Sequence, residues 1–268
     1  MSTRAFVADL AITSLETITA FDIADGSYLF TLDELQNATI QNSQETTDIT
    51  GKQGRKLASL KRNKTVTVSG SNGLVSGGLL EMQTGGDFTS GEVEVMWTDY
   101  GTVDSSHTGA TSWKAIGTTG AEIEALYLKD ENGVISTKLE QDTTASSGKF
   151  TYAPATKTIT FHTDVTAGTE YVVFYTRKIT ASRLENKSDS YSKKCALYID
   201  ALAEDKCANV YRVQFYVPKA DFSGEFSFEM GDNQSVHDFE AEGLAGVCGT
   251  GGSLWTYTVF GVNTADAN

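Results

Sequence analysis

Apolar and polar residues alternate with period two along most of the chain, the mark of a half-buried strand. Thr17 to Ala24 alternates, Asp25-Gly26 supplies a two-residue turn and Ser27 to Leu32 returns, which predicts a hairpin. Lys64 to Gly70, KTVTVSG, alternates again, and Gly91 to Trp97 sets Glu92, Glu94 and Met96 on one face and Val93, Val95 and Trp97 on the other. Farther on, Cys195, Leu197, Ile199 and Ala201 alternate within Lys194 to Ala203. Tyr211, Val213, Phe215 and Val217 do the same up to Pro218, which ends that strand or marks it as an edge. Phe226, Phe228 and Met230 face away from Glu225 and Glu229, Phe239 faces away from Asp238, Glu240 and Glu242, and Leu254 to Phe260 forms an aromatic final strand. One stretch departs from this period. Leu74, Val75, Leu79, Leu80 and Met82 recur at helical spacing around Gly77 and Gly78, so a short apolar helix is predicted there.

The middle of the chain carries its own series. Short strands are predicted at Glu122 to Lys129, Lys149 to Tyr152, Thr158 to Thr163 and Glu170 to Arg177, divided by turn signals at Asp130-Glu131-Asn132-Gly133 and Ala167-Gly168-Thr169. Gly101 to Gly120 before them is rich in small and polar residues and reads as a linker. This spacing predicts a small Ig-like β-sandwich inserted at residues 115–180, between core segments 1–114 and 181–268. With only 2 prolines in 268 residues, the composition agrees with a mainly β fold rich in turns.

Charge changes the picture in one place. The formal net charge is −14, which argues against a general affinity for nucleic acid or anionic membranes. Yet Lys52, Arg55, Lys56, Lys61, Arg62 and Lys64 follow one another with no acid among them, after a first segment whose single base, Arg4, faces Asp9, Glu16, Asp22, Asp25, Asp33, Glu34, Glu45 and Asp48. Three readings of the cationic stretch stand side by side: a flexible solvated connector, a phosphate-binding arm, or an arm that pairs with the anionic body of another copy. Asn37 to Thr47 is polar and extended, and with Lys64 to Gly70 it makes the two sides of a projecting loop over about residues 37–70. Such a hairpin invites aggregation unless a partner covers it.

Catalytic chemistry is not written in the pattern. His107, His162 and His237 are isolated, with no second ligand at metal-binding spacing, and read as turn or surface positions. The chain has no Walker A loop, no G-x-S-x-G elbow and no G-x-G-x-x-G after a strand, and Gly-Thr-Gly-Gly at 249–252 reads as a hairpin turn. Cys195, Cys207 and Cys248 form no cluster, so inert thiols in a reducing compartment are expected. Met1 to Leu10 lacks a signal-peptide core, and no apolar run approaches the roughly 20 residues a membrane helix needs. No catalytic residue, metal or cofactor is therefore expected. The acidic faces at Glu92 and Glu94, Glu225 and Glu229, and Asp238, Glu240 and Glu242 admit a solvated outer face, a glycosidase carboxylate pair, or an electronegative wall that lets a DNA duplex pass without sticking.

Taken together, DITGKQGRKLASLKRNKTVTVSG, the helix segment SNGLVSGGLLEMQTGG, and YRVQFYVPKADFSGEFSFEMGDNQSVHDFEAEGL followed by LWTYTVFG resemble the major tail tube proteins of long-tailed bacteriophages, over about residues 1–100 and 181–268. The resemblance implies a β-sandwich or half-barrel with a flanking helix, and subunits that form hexameric rings stacked into a tube for DNA delivery. It gives the six cations from Lys52 to Lys64 the role of a subunit-interface arm, sets acidic strand faces towards the lumen, and makes residues 115–180 an outward decoration. Implied partners are further copies, tail proteins such as tape measure and terminator, and DNA that passes without specific binding, with assembly in host cytoplasm and residence in the virion tail. A capsid or head-decoration protein would share the acidic β-rich character, though no long spine-like helix is predicted. A carbohydrate-binding sandwich would expose aromatics, for which Trp97, Trp113 and Trp255 are candidates.

Overall fold

The computed structural model describes residues 9–228, 236–245 and 252–261. The chain divides into two compact units, cut between Phe88 and Thr89 and again between Arg183 and Leu184. In chain order the first unit holds β1 (Leu10–Asp22), β2 (Tyr28–Leu32), β3 (Leu35–Thr50), β4 (Lys56–Asn72) and helix α1 (Gly77–Thr84). The second holds β5 (Thr89–Thr102), β6 (Thr108–Ala110), β7 (Ile123–Lys129), β8 (Ile135–Gln141), β9 (Lys149–Ala153), β10 (Thr158–Phe161) and β11 (Glu170–Arg183). The chain then returns to the first unit with β12 (Lys194–Asp205), β13 (Val210–Phe222), β14 (His237–Gly243) and β15 (Thr256–Gly261). The fold is mainly β, with a curled half-barrel sheet and one short α-helix.

The sheet of the first unit runs β2-β1-β12-β13-β14-β4-β3, and β15 also pairs with β13. Every pairing is antiparallel. The period-two pattern explains which face is packed: Ile18, Leu32, Val68, Leu197, Ile199, Val217, Phe222 and Phe239 all point into one core, and α1 adds Leu79 and Met82. Burying side chains of this size contributes roughly 1.5–3 kcal/mol each. The helix is fixed at both ends. Ser76 Oγ accepts from Leu79 N–H, and Gly85, at φ +74°, donates its N–H to Glu81 O.

Pro218 neither ends β13 nor lies at an edge, contrary to the sequence expectation. The strand continues to Phe222, and the β12 register shifts opposite Pro218, from Val217↔Leu197 to Ala220↔Cys195. A bulge takes up the missing N–H, which is how a central strand tolerates proline. His237 also departs from expectation. It is fully buried: Ser76 N–H donates to its Nδ1 at 3.3 Å, so Nε2 carries the proton and donates to Gln83 Oε1 at 2.8 Å. Phe226 and Phe228 pack on its ring at 6.1 and 5.0 Å, and among the described residues their expected strand makes one strand-like contact, a bridge from Phe228 to His237. Met230 and most of the 249–252 glycine turn lie outside the described residues.

The sheet of the second unit runs β5-β11-β7-β8-β9-β10-β6, with β8 and β9 parallel. Leu126, Phe150, Ile159, Tyr171, Val173 and Tyr175 form its core. Gly91 to Trp97, which lies within the expected first core segment, pairs here with β11 from Thr102↔Glu170 to Thr89↔Arg183. Nor is Gly101 to Gly120 a linker. It carries β6 and buries Val103, Thr111 and Ala115. Tyr171 explains the small residues, since its hydroxyl bonds both N–H and O of Ala110 at 2.9 and 3.0 Å.

Candidate assembly surface

β3 and β4 form one long hairpin, joined by a turn at Lys52–Gly54. β14 covers β4 only from Val66 to Asn72, so residues 43–65 continue as a two-stranded ribbon with nearly every side chain exposed. At about 3.3 Å per residue, Ser43 to Thr50 reaches roughly 25 Å beyond the sheet. The stretch read from sequence as a flexible connector is a strand for most of its length. Its pairing with β3 runs through Glu45↔Arg62, Thr46↔Lys61 and Asp48↔Ser59, and a register shift at Asn63, φ +50°, adds twist near the base. A ribbon with no third strand and no core is marginal in water by itself.

The six cations therefore share one arm. Lys56 pairs with Asp48 at 2.7 Å and Arg62 donates to Thr47 Oγ1 at 3.0 Å. Lys52, Arg55, Lys61 and Lys64 have no acidic partner among the described residues. The arm also carries apolar residues that charge-based reading passed over. Ile49, Leu57 and Leu60 are 50%, 59% and 50% exposed near the tip. Three large apolar side chains within a charged stretch were the available signal. The first unit has an apolar cleft too, of about 420 Å³, where Ile12, Leu15, Ile40, Phe215 and Trp255 line a gap at the core's open side. Trp255 packs on Phe215 at a ring separation of 6.0 Å, and its Nε1 donates to Asn42.

The acids divide between the units. Asp238, Glu240 and Glu242 alternate outward along β14, opposite Ser71, Ser69 and Thr67 of β4, while Phe239 and Ala241 enter the core. Glu225 joins Asp238 and Glu240 around one open depression of about 370 Å³. Glu92 and Glu94 belong to the second unit, across from Thr180 and Lys178 of β11. Glu229 lies outside the described residues. None of the four acids on the first unit's face has a basic partner in an ion pair among the described residues.

The edges of the first sheet are open. Among the described residues β3 pairs only with β4, β2 only with β1, and β15 only with β13. Unpaired N–H and C=O groups along such edges are templates for another strand. Among the described residues no group of three or more His, Cys, Asp or Glu could hold a metal ion, and no helix is long and apolar enough to cross a membrane. Cys195 is buried, which pushes its thiol up to about 12, Cys207 is exposed, and Cys248 lies outside the described residues.

The first unit is thus a curled β-sheet whose edge strands have no further partner among the described residues and from which a cationic hairpin extends. The chain matches the YomU/Tube protein family over residues 10–255 and belongs to it. The family name denotes a tube protein and points to a component of the phage tail tube. No curated protein matches the chain.

Proposed function

We propose that this chain is the repeating subunit of a phage tail tube, which closes into hexameric rings that stack around a DNA channel. The observation that carries the reading is the ribbon of residues 43–65, which has no core of its own and needs a neighbour to cover it. Open edges on β2, β3 and β15 supply head-to-tail contacts, and rotation that closes yields a ring. The number six follows from the resemblance to tail tube proteins.

In this reading Lys52, Arg55, Lys56, Lys61, Arg62 and Lys64 meet acids of an adjacent subunit and set its register, while the apolar tip and the apolar cleft are two surfaces of the first unit that other copies cover. Asp238, Glu240, Glu242 and Glu225 form a wall that repels phosphate, and Glu92, Glu94 and Glu229 remain candidates for the same role. The inserted unit is an outward, Ig-like decoration. Assembly takes place in host cytoplasm with tape measure and terminator proteins, and the product resides in the virion tail.

Negative-stain electron microscopy of the purified chain, with sizing chromatography at several salt concentrations, tests the reading. Rings or tubes with a central hole are expected. Closed shells, or monomers that stay monomeric even when tube ends are added as seeds, would overturn it.

A further inference from the structure

The second unit holds a buried cation with no counter-ion among the described residues. Arg177 on β11 is only 8% exposed, and its guanidinium lies between two indoles, 5.0 Å from the Trp97 ring centroid and 3.9 Å from that of Trp113. Both tryptophans are themselves open to solvent, at 39% and 48% exposure. The strand register explains half of this clamp. Tyr175 stands opposite Trp97 and Arg177 opposite Val95, so Arg177 and Trp97 are diagonal neighbours on one face.

The other half is built by Asp99. Its carboxylate accepts from Trp97 Nε1 at 3.1 Å, Tyr175 OH at 2.7 Å, and Ser112 N and Oγ at 2.7 and 2.9 Å, while Trp113 N–H donates to Tyr175 OH at 3.0 Å. Both indoles are thereby held in place. Asp99 spends its lone pairs on these donors and gives none to Arg177. Among the described residues nothing accepts a hydrogen bond from the guanidinium, and its Nε is buried without any partner. Buried charges are ordinarily paired, because desolvation of an unpaired ion costs several kcal/mol. Stacking on two indoles offsets part of that cost and supplies no acceptor.

We propose that Trp97, Arg177 and Trp113 form a binding site for an acidic saccharide. The anionic group of the sugar accepts charge-assisted hydrogen bonds from the guanidinium, and the electropositive C–H face of the pyranose ring packs on an exposed indole face. Carboxylate-bearing and phosphate-bearing sugars share this chemistry. The inference does not depend on tube assembly, because every residue of the site lies within one unit of one chain.

Tryptophan fluorescence of the full chain, titrated with glucuronic acid, glucose 6-phosphate, glucose and inorganic phosphate, tests it. A saturable change with at least one acidic sugar is expected, at least tenfold weaker with glucose and with inorganic phosphate, and which acidic sugar binds identifies the anion. Trp113→Ala is expected to weaken binding about tenfold, because it removes an exposed indole face on which the sugar ring packs. Arg177→Gln should abolish it, with thermal unfolding run alongside to confirm that the unit remains folded. If Arg177→Gln does not fold, the Trp113→Ala result decides. No saturable change with either acidic sugar, an equal response to inorganic phosphate, or binding unchanged in Trp113→Ala would overturn the proposal and leave the clamp a packing device.

Discussion

Lys56 Nζ lies 2.7 Å from Asp48 Oδ1 across the ribbon, and this contact divides the six arm cations by availability. An exposed pair of this kind contributes at most about 1 kcal/mol, but it holds Lys56 within its own hairpin. Lys61 and Lys64 have no such internal acid among the described residues, and Arg62 bonds only a hydroxyl. Charge available to a neighbour therefore lies at the turn, on Lys52 and Arg55, and along β4 on residues 61–64.

Replacing Lys61, Arg62 and Lys64 with Glu should leave the monomer folded, since exposed substitutions of this kind usually stay within about 0.5 kcal/mol. Tube growth should be lost, because three cations become three anions facing an acidic partner. Lys56→Gln should assemble nearly as the parent does. Electron microscopy of both variants at matched concentration checks this, and tubes of normal length from the triple variant would sink the arm assignment.

Leu57 and Leu60 near the ribbon tip leave half or more of their surface uncovered by their own chain, being 59% and 50% exposed. Leu57→Ser with Leu60→Ser should leave the melting temperature within about 2 °C of the parent and slow assembly more than tenfold. Salt separates this contact from the charged one, since ionic strength screens exposed charges and leaves apolar burial intact. Light scattering at low and high salt measures both, and parental assembly rates for the double variant count against an apolar contact.

Period-two alternation identified β2, β12 and β14 closely, because each packs one face on a core and a pleated strand writes that asymmetry into its sequence, and turn signals bounded β7 and β9; of β1 only the half from Thr17 was read, although the strand begins at Leu10. β8 left little trace: along Ile135–Gln141 only Leu139 is buried, so a mostly solvated strand resembles a loop. The arm was legible by charge, whereas its strand pairing depends on partners about 15 residues away in sequence. Acids on alternating positions disclosed which face of β14 points outward, but grouping Glu225 with Asp238 and Glu240 required the chain to fold back. Arg177 between two tryptophans was invisible in the sequence. Trp97, Trp113 and Arg177 come from three separate segments, and no spacing rule connects them.

Gly85 is held by its surroundings more tightly than the helix end alone requires. At φ +74° a side chain is strained, and a Cβ built there would stand 2.0 Å from Tyr191 O. Backbone cannot retreat as a flexible side chain does, so α1 and the segment before β12 would have to separate. Gly85→Ala should cost more than about 2 kcal/mol, combining left-handed strain with the clash. Urea denaturation checks the value, and a loss under about 0.5 kcal/mol would contradict the contact.

His237 makes stability depend on pH in a window where few other groups titrate. Burial lowers its pKa below the ordinary 6.5, because a charged imidazole would lose water without gaining an acceptor for a second N–H. Protonating Nδ1 would also break its bond from Ser76 N–H. Below pH 6.5 the unfolded chain takes up a proton that the folded chain refuses, so stability present above pH 6.5 is lost as pH falls towards the folded pKa. The slope from one such group reaches at most about 1.4 kcal/mol per pH unit. Asp25, Asp99, Asp104, Asp142, Asp164 and Asp205 all have lowered pKa values and add the same sign only nearer pH 4. The chain also has His107, bonded to Val165 O, and His162, beside Asp164, so the comparison has to be made within one background. His237→Gln should be less stable at pH 8, because Gln83 and Ser76 lose a well-placed partner, yet it should lose part of the parent's decline between pH 6.5 and 5. Urea midpoints for the two chains across that interval decide the matter: parallel curves would mean that His237 is not the group being protonated.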